Sequence, residues 1–165
     1  MTTQESQLQS PESSAMKHAR ILVADDEPRI RLALRVCLES DGYDVLEAAD
    51  GLEALDAIIH GAPDVMILDL AMPNLDGLRA LDAIKGLHGQ LKPRVIILTA
   101  WGSGPAVLRT MGAGASLFLE KPIVPETLLA AVRSVLAEPR DVDESVGIPI
   151  DWSVLLREED DQPVQ

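Results

Sequence analysis

Reactive side chains in this sequence stand where apolar runs stop. Asp25 and Asp26 follow ILVA, Asp69 follows VMIL, Thr99 follows VIIL, and Lys121 follows SLFLE just ahead of Pro122. If those runs are parallel strands of one sheet, these residues gather at its carboxyl edge, where side chains leave the packed interior and ligands collect. Three carboxylates meeting at one point repel unless a cation compensates. With no Cys or His cluster beside them, the implied ion is a hard one. A few carboxylates completed by water and phosphate suit Mg²⁺ better than an all-protein Ca²⁺ cage. A lysine beside such a cluster can form a plain ion pair, and it also carries the charge that a phosphoryl group needs during transfer. The bond before Pro122 is expected to be cis, aiming Lys121 back over the site. Thr99, next to the small Ala100, offers a hydroxyl at the same edge. His18, His60 and His88 lack ligand spacing to one another and are assigned solvent-facing or capping roles.

The elements that must position these residues follow from the alternation of apolar patterns. Strand-like runs occupy 21–25, 43–48, 64–69, 94–100 and 116–120. Helical stretches occupy 28–40, 52–61, 78–87 and 125–138, with a weaker one at 105–112. This order predicts an α/β fold with a parallel sheet covered by helices on both faces. The runs ILVA, VMIL and VIIL are apolar throughout, as strands buried on both faces should be. Side chains alternate along a strand, so Asp25 and Asp26 can both project forward only if the strand ends there, and Glu27-Pro28 supplies that end. Pro28 and Pro125 suit first helical turns. Asp50 with Glu53 has capping-box spacing, and Gly42 and Gly61 are read as helix stops.

Composition bounds the rest. A chain of 165 residues is one domain's worth with a short appendage. Its apolar fraction of 47% with only 2% aromatics favours aliphatic strands between Ala- and Leu-rich helices over an all-β barrel. The lone Cys37, flanked by Val36 and Leu38, is read as a buried structural thiol. No apolar run approaches the roughly 20 residues of a membrane span, and the first residues lack the charged-then-apolar order of a secretory signal. A cytoplasmic location and no membrane partner are therefore expected. The net charge of −13 is uneven: from Glu138 onward nine acidic and two basic residues give −7. Nothing supplies the Lys/Arg footprint that duplex DNA requires, so no DNA binding is expected. Residues 1–18 are expected to be disordered, 19–138 to form the domain, and 139–165 to be an acidic tail with room for one short helix over 148–158.

Taken jointly, several motifs become recognisable. They are Asp25-Asp26, the D-x-x-M-P-x-x-D-G run from Asp69 through Met72-Pro73 to Asp76-Gly77, Thr99-Ala100, the AGA at 113–115 with Phe118, and Lys121-Pro122. The chain resembles, over about residues 19–138, the chemotaxis-regulator-like receiver domain of two-component response regulators. The resemblance implies a flavodoxin-like, doubly wound five-stranded sheet of order 2-1-3-4-5. It implies that Asp69 accepts a phosphoryl group from a sensor histidine kinase or a histidine phosphotransfer protein. Asp26, Asp69 and the backbone carbonyl of Ala71 would bind Mg²⁺ directly, with Asp25 acting through water and Lys121 pairing with a phosphoryl oxygen. Thr99 and Phe118 would form a switch, in which Thr99 held by phosphate leaves a space that Phe118 fills. Ala71 and Trp101 would flank the phosphoryl group and govern access to it.

Such a domain signals to a downstream protein partner or a homodimer and catalyses only its own phosphorylation and dephosphorylation. The alternatives are a phosphorelay intermediate, an aspartyl-phosphate-forming phosphohydrolase and a docking module that is never phosphorylated. The hydrolase class places its nucleophile in a D-x-D pattern after the first strand, whereas here the single forward carboxylate follows the third. A docking module needs none of the acidic, hydroxyl and lysine set. A nucleotide-binding module of the same fold needs a phosphate-receiving loop where this chain has DDEPR.

Overall fold

The computed structural model describes residues 19–72, 77–87, 92–100 and 114–139. Within them the strands are β1 (Arg20–Ala24), β2 (Asp44–Ala48), β3 (Val65–Asp69), β4 (Arg94–Thr99) and β5 (Leu117–Glu120). The helices are α1 (Pro28–Ser40), α2 (Gly51–Gly61), α3 (Gly77–Lys85) and α4 (Pro125–Ala137). Every strand pairing is parallel and the sheet order is β2-β1-β3-β4-β5. This is the doubly wound, flavodoxin-like order that the resemblance implied. The helical segments read at 105–112 and 148–158, and the segments 1–18 and 140–165, lie outside the described residues.

Strand alternation sorts the core into two halves. Ile21, Val23, Val65, Ile67, Ile96 and Leu98 pack toward α1 and α4, meeting Leu34, Leu38, Leu128, Val132 and Val135. Leu22, Ala24, Met66, Leu68, Val95 and Ile97 pack toward α2 and α3, meeting Ala54, Ile58, Leu81 and Ile84. The three central strands are therefore apolar at almost every position, while β2 and β5 at the edges keep partly exposed residues. Each fully buried Ile or Leu contributes about 1.5–3 kcal/mol by leaving water. The central strands thus hold their own carboxyl ends firmly in place.

The helix ends are set by local chemistry. α1 and α4 both begin at proline, whose missing N–H costs nothing there. α1 ends with Gly42 in the left-handed region at φ 91°, where the Gly42 N–H donates to the Glu39 carbonyl (3.0 Å) and the Tyr43 N–H to the Leu38 carbonyl (3.2 Å). At α2, Asp50 accepts from the Glu53 N–H (2.9 Å), and the Glu53 carboxylate accepts from the N–H of Ala49, one residue ahead of the cap itself (2.8 Å). Gly61 is not the left-handed stop that the sequence suggested. It is the last helical residue, and Ala62 takes the left-handed cap at φ 43°. Gly61 is small for another reason: a Cβ there would run into the Leu46 side chain of β2.

One further expectation shifts in detail. Cys37 is partly rather than fully buried on the α1/α4 side, since Leu34 and Leu38 are the α1 residues turned into the core and Val36 faces solvent, 57% exposed. Burial, then the charges of Asp41 and Glu126, push its thiol pKa up. Among the described residues no helix is long and apolar enough to cross a membrane.

Candidate functional site

β1 and β3 are neighbours at the point where the sheet order reverses, with β2 on one side and β4 and β5 on the other. The crevice above such a reversal is where this fold class binds ligands. Asp25 follows β1 directly and Asp69 closes β3, and both are buried, at 1% and 5% exposure. Asp26 beside them is exposed. One carboxylate oxygen from each of Asp25, Asp26 and Asp69 lies within 4.8 Å of the other two.

Alternation explains how Lys121 joins them. Asp25, Asp69 and Lys121 continue the rows of Val23, Ile67 and Leu119, which face α1 and α4, so the three converge on one side of the sheet edge. The Lys121 Nζ donates to Asp25 Oδ2 (2.7 Å) and to Asp69 Oδ2 (3.2 Å). The second oxygen of each carboxylate accepts from main chain: Asp25 Oδ1 from the Glu27 N–H (2.9 Å) and Asp69 Oδ1 from the Ala71 N–H (3.1 Å). Both buried carboxylates are thereby satisfied and aimed.

Burial is the largest single influence on Lys121 and favours the neutral amine. The hydrogen bond to Asp25, then the charges of Asp69 and Asp25, outweigh it, so the lysine pKa is raised and the group is an ammonium. Three carboxylates against one ammonium leave a formal −2 in a small volume. A single divalent cation would balance it, and donors that are all oxygen fit a hard ion such as Mg²⁺.

Thr99 is buried at the end of β4, and its carbonyl accepts the Lys121 N–H (2.7 Å). Phe118 sits opposite Ile97 in the β4–β5 register, and Thr99 comes two residues after Ile97. Thr99 and Phe118 are therefore diagonal neighbours on the α2/α3 side, opposite the side from which the lysine approaches. Phe118 is partly buried against that half of the core. Ala71 and Ala100 are exposed, Met72 is buried, and the Lys121–Pro122 bond is cis. His60 is exposed at the end of α2, its Nδ1 3.0 Å from the Asp56 carbonyl. Trp101 and Asp76 lie outside the described residues, as do His18 and His88.

Sequence reasoning missed Arg31. Its Nη1 donates to the main-chain carbonyl of Asp25 (2.8 Å), and its Nε lies 3.6 Å from Glu47 of β2. The available signal was its place one turn into α1, directly after the acidic pair.

A groove of about 460 Å³ opens beside the lysine, lined by Arg29, Ile30, Leu34, Leu98, Pro122 and Ile123 among others.

A doubly wound parallel sheet with a buried acid–lysine site at its order reversal defines a chemotaxis-regulator-like domain. Residues 21–133 match the family model for the response regulator receiver domain, and the chain belongs to that family, whose members are phosphorylation-dependent signalling switches. Response regulator MprA of Mycobacterium tuberculosis is 40% identical over 131 residues, covering 78% of this chain and 56% of MprA. MprA of Mycobacterium leprae is 38% identical over 131 residues, covering 78% and 57%. Among solved structures, the chemotaxis response regulator CheY4 of Vibrio cholerae has a TM-score of 0.67 at 34% identity, covering 72% of this chain and 98% of that one. The response regulator domain of Thermotoga maritima CheB has a TM-score of 0.67 at 29% identity, covering 74% and 99%.

The chain spans little more than half the length of the MprA regulators it matches. These relatives overturn the expectation of no DNA binding. That expectation rested on the charge of this chain alone, but attraction to DNA is carried by whichever surface holds the Lys and Arg residues. The matched regulators continue well beyond the part aligned here, so an acidic receiver is no ground for excluding DNA.

Proposed function

We propose that this receiver domain accepts a phosphoryl group on Asp69 from a phosphohistidine of a sensor histidine kinase or a histidine phosphotransfer protein, and signals through protein–protein contacts. The observation that carries the reading is the buried Asp69 carboxylate, hydrogen-bonded to the Ala71 N–H and to Lys121 beside Asp25. In the transfer a carboxylate oxygen of Asp69 bonds to phosphorus as the P–N bond to the donor imidazole breaks, and the nitrogen leaves with the electron pair. Asp26, Asp69 and the Ala71 carbonyl would hold Mg²⁺, with Asp25 acting through water. When bound, that ion would supply positive charge against the equatorial phosphoryl oxygens. Lys121 moves its ammonium from the carboxylates to a phosphoryl oxygen, and its long stem allows this without backbone change. Thr99 gives the new oxyanion a hydroxyl hydrogen bond. Its place diagonal to Phe118 supports a coupled inward turn of the ring.

The apolar groove beside Lys121 gives the phosphodonor protein a footing next to Asp69. The signal leaves through the surface that β5 and α4 present, toward a downstream protein or a second copy of the chain. The domain acts as a switch that catalyses only its own phosphorylation and dephosphorylation. The test is chemical. Acetyl phosphate or phosphoramidate with Mg²⁺ should add one phosphoryl group by intact-mass spectrometry, and Asp69→Ala should abolish the addition. An unchanged yield in the variant would move the acceptor elsewhere.

A further inference from the structure

The geometry points to Arg31 as a positioning residue for the acidic site, acting on Asp25 and Asp26 through the main chain. This rests on the reading of Asp25, Asp26 and Asp69 as the cation-holding set. The turn at Asp25 is held at four points. Its N–H donates to the Ala48 carbonyl (3.1 Å), its carbonyl accepts from Arg31 (2.8 Å), its Oδ1 accepts from the Glu27 N–H (2.9 Å), and its Oδ2 accepts from Lys121 (2.7 Å). Under the proposed function Lys121 turns to a phosphoryl oxygen once Asp69 is phosphorylated. Among the described residues, Arg31 is the other side chain from outside the turn that holds it, and it grips the peptide unit that joins Asp25 to Asp26 rather than a carboxylate.

Arg31 is itself braced. Glu47 of β2 lies 3.6 Å from its Nε and also takes Arg35 at 2.7 Å. The Arg31 side chain is 17% exposed, so its contacts are only partly screened. A planar guanidinium can donate to the Asp25 carbonyl and face Glu47 at once, whereas an ammonium acts as a point charge.

Coulomb attraction and positioning predict opposite signs here. Arg35 and Glu47 stay paired if Arg31 is neutralised, so the substitution subtracts one positive charge from beside three carboxylates. Charge alone would then tighten cation binding. Loss of positioning would weaken it, and groups that orient metal ligands typically account for about tenfold or more in affinity. We expect the second effect to dominate.

The experiment is a Mg²⁺ titration of the full chain followed by the amide NMR shifts of residues 25–27. It is run on the unaltered protein, on Arg31→Gln and on Arg31→Lys, with the denaturation midpoint of each recorded. Arg31→Gln should bind Mg²⁺ about tenfold more weakly. Arg31→Lys, which keeps the charge and loses the fork, should also bind more weakly than the unaltered chain. An unchanged or tighter affinity in Arg31→Gln overturns the inference. If that variant does not fold, an unchanged affinity in Arg31→Lys overturns it instead. Failure of the unaltered chain to bind Mg²⁺ would strike the cation-holding reading itself, which separates the two failures.

Discussion

Lys121 holds one positive charge between two buried carboxylates, and that arrangement has a pH signature. Its pKa is raised above 10.5 in the folded state despite the opposing effect of burial, because the Asp25 hydrogen bond and the Asp69 and Asp25 charges prevail. A group with a raised folded pKa contributes stability that is fully present below its unfolded pKa and is lost as pH rises through the folded one. The window here therefore opens at about pH 10.5 and extends upward. Urea midpoints of the native chain and of Lys121→Met, both without added metal, should keep a constant separation from pH 8 to 10. Above that the native midpoint should fall relative to the variant. Other titrating groups, including Tyr43, whose pKa burial also raises, cancel in the comparison. A separation that stays constant to pH 12 would mean that the ammonium gains nothing from its two partners.

At the scale of elements, the end of α2 is where local preference and tertiary packing disagree. Ala62 adopts φ 43° and ψ 59°, a conformation that costs an L-residue roughly 1–2 kcal/mol, while the glycine suited to it stands one position earlier. Gly61 serves the approach of Leu46 and gives its carbonyl to Arg20 at 2.6 Å. Ala62→Gly should therefore stabilise the domain by about 1 kcal/mol, less the extra freedom that glycine gains in the unfolded chain. Thermal denaturation decides it, and a lower midpoint in the variant would show that the left-handed cap carries no relievable strain. Gly42, by contrast, stands at the left-handed position that needs it, so sequence and structure agree at the end of α1.

For the whole molecule, the assignments converge on one unit. All of the described site residues fall between Asp25 and Lys121, and the family match ends at residue 133. The Arg94 side chain donates to the Glu138 carbonyl, tying the exit of α4 to the start of β4. We propose on these grounds that the working domain is 19–138 and that residues 140–165 take no part in phosphoryl transfer. A chain ending at Pro139 should take phosphate from acetyl phosphate at a rate within about twofold of the full chain, since folding and the reacting groups are both retained. A larger loss would place part of the site in the acidic segment.

The strand and helix order, the residues at which the central strands stop, and the acid, hydroxyl and lysine set at those stops are written in the linear pattern. These are readable because they are local. An apolar run bounded by Asp or Thr carries its own burial and its own end, and Pro28 and Pro125 mark helix starts wherever they are packed. Which of these groups meet depends on the packed fold. Lys121 reaches Asp25 across 96 residues and Asp69 across 52, and it does so because three strands project those side chains to the same face. The grip of Arg31 on the Asp25 carbonyl, the exchange of roles between Gly61 and Ala62, and the outward turn of Val36 beside Cys37 depend on how each helix is rotated against the sheet. No periodicity encodes that rotation to within one residue, because it is set by side chains arriving from elsewhere in the chain.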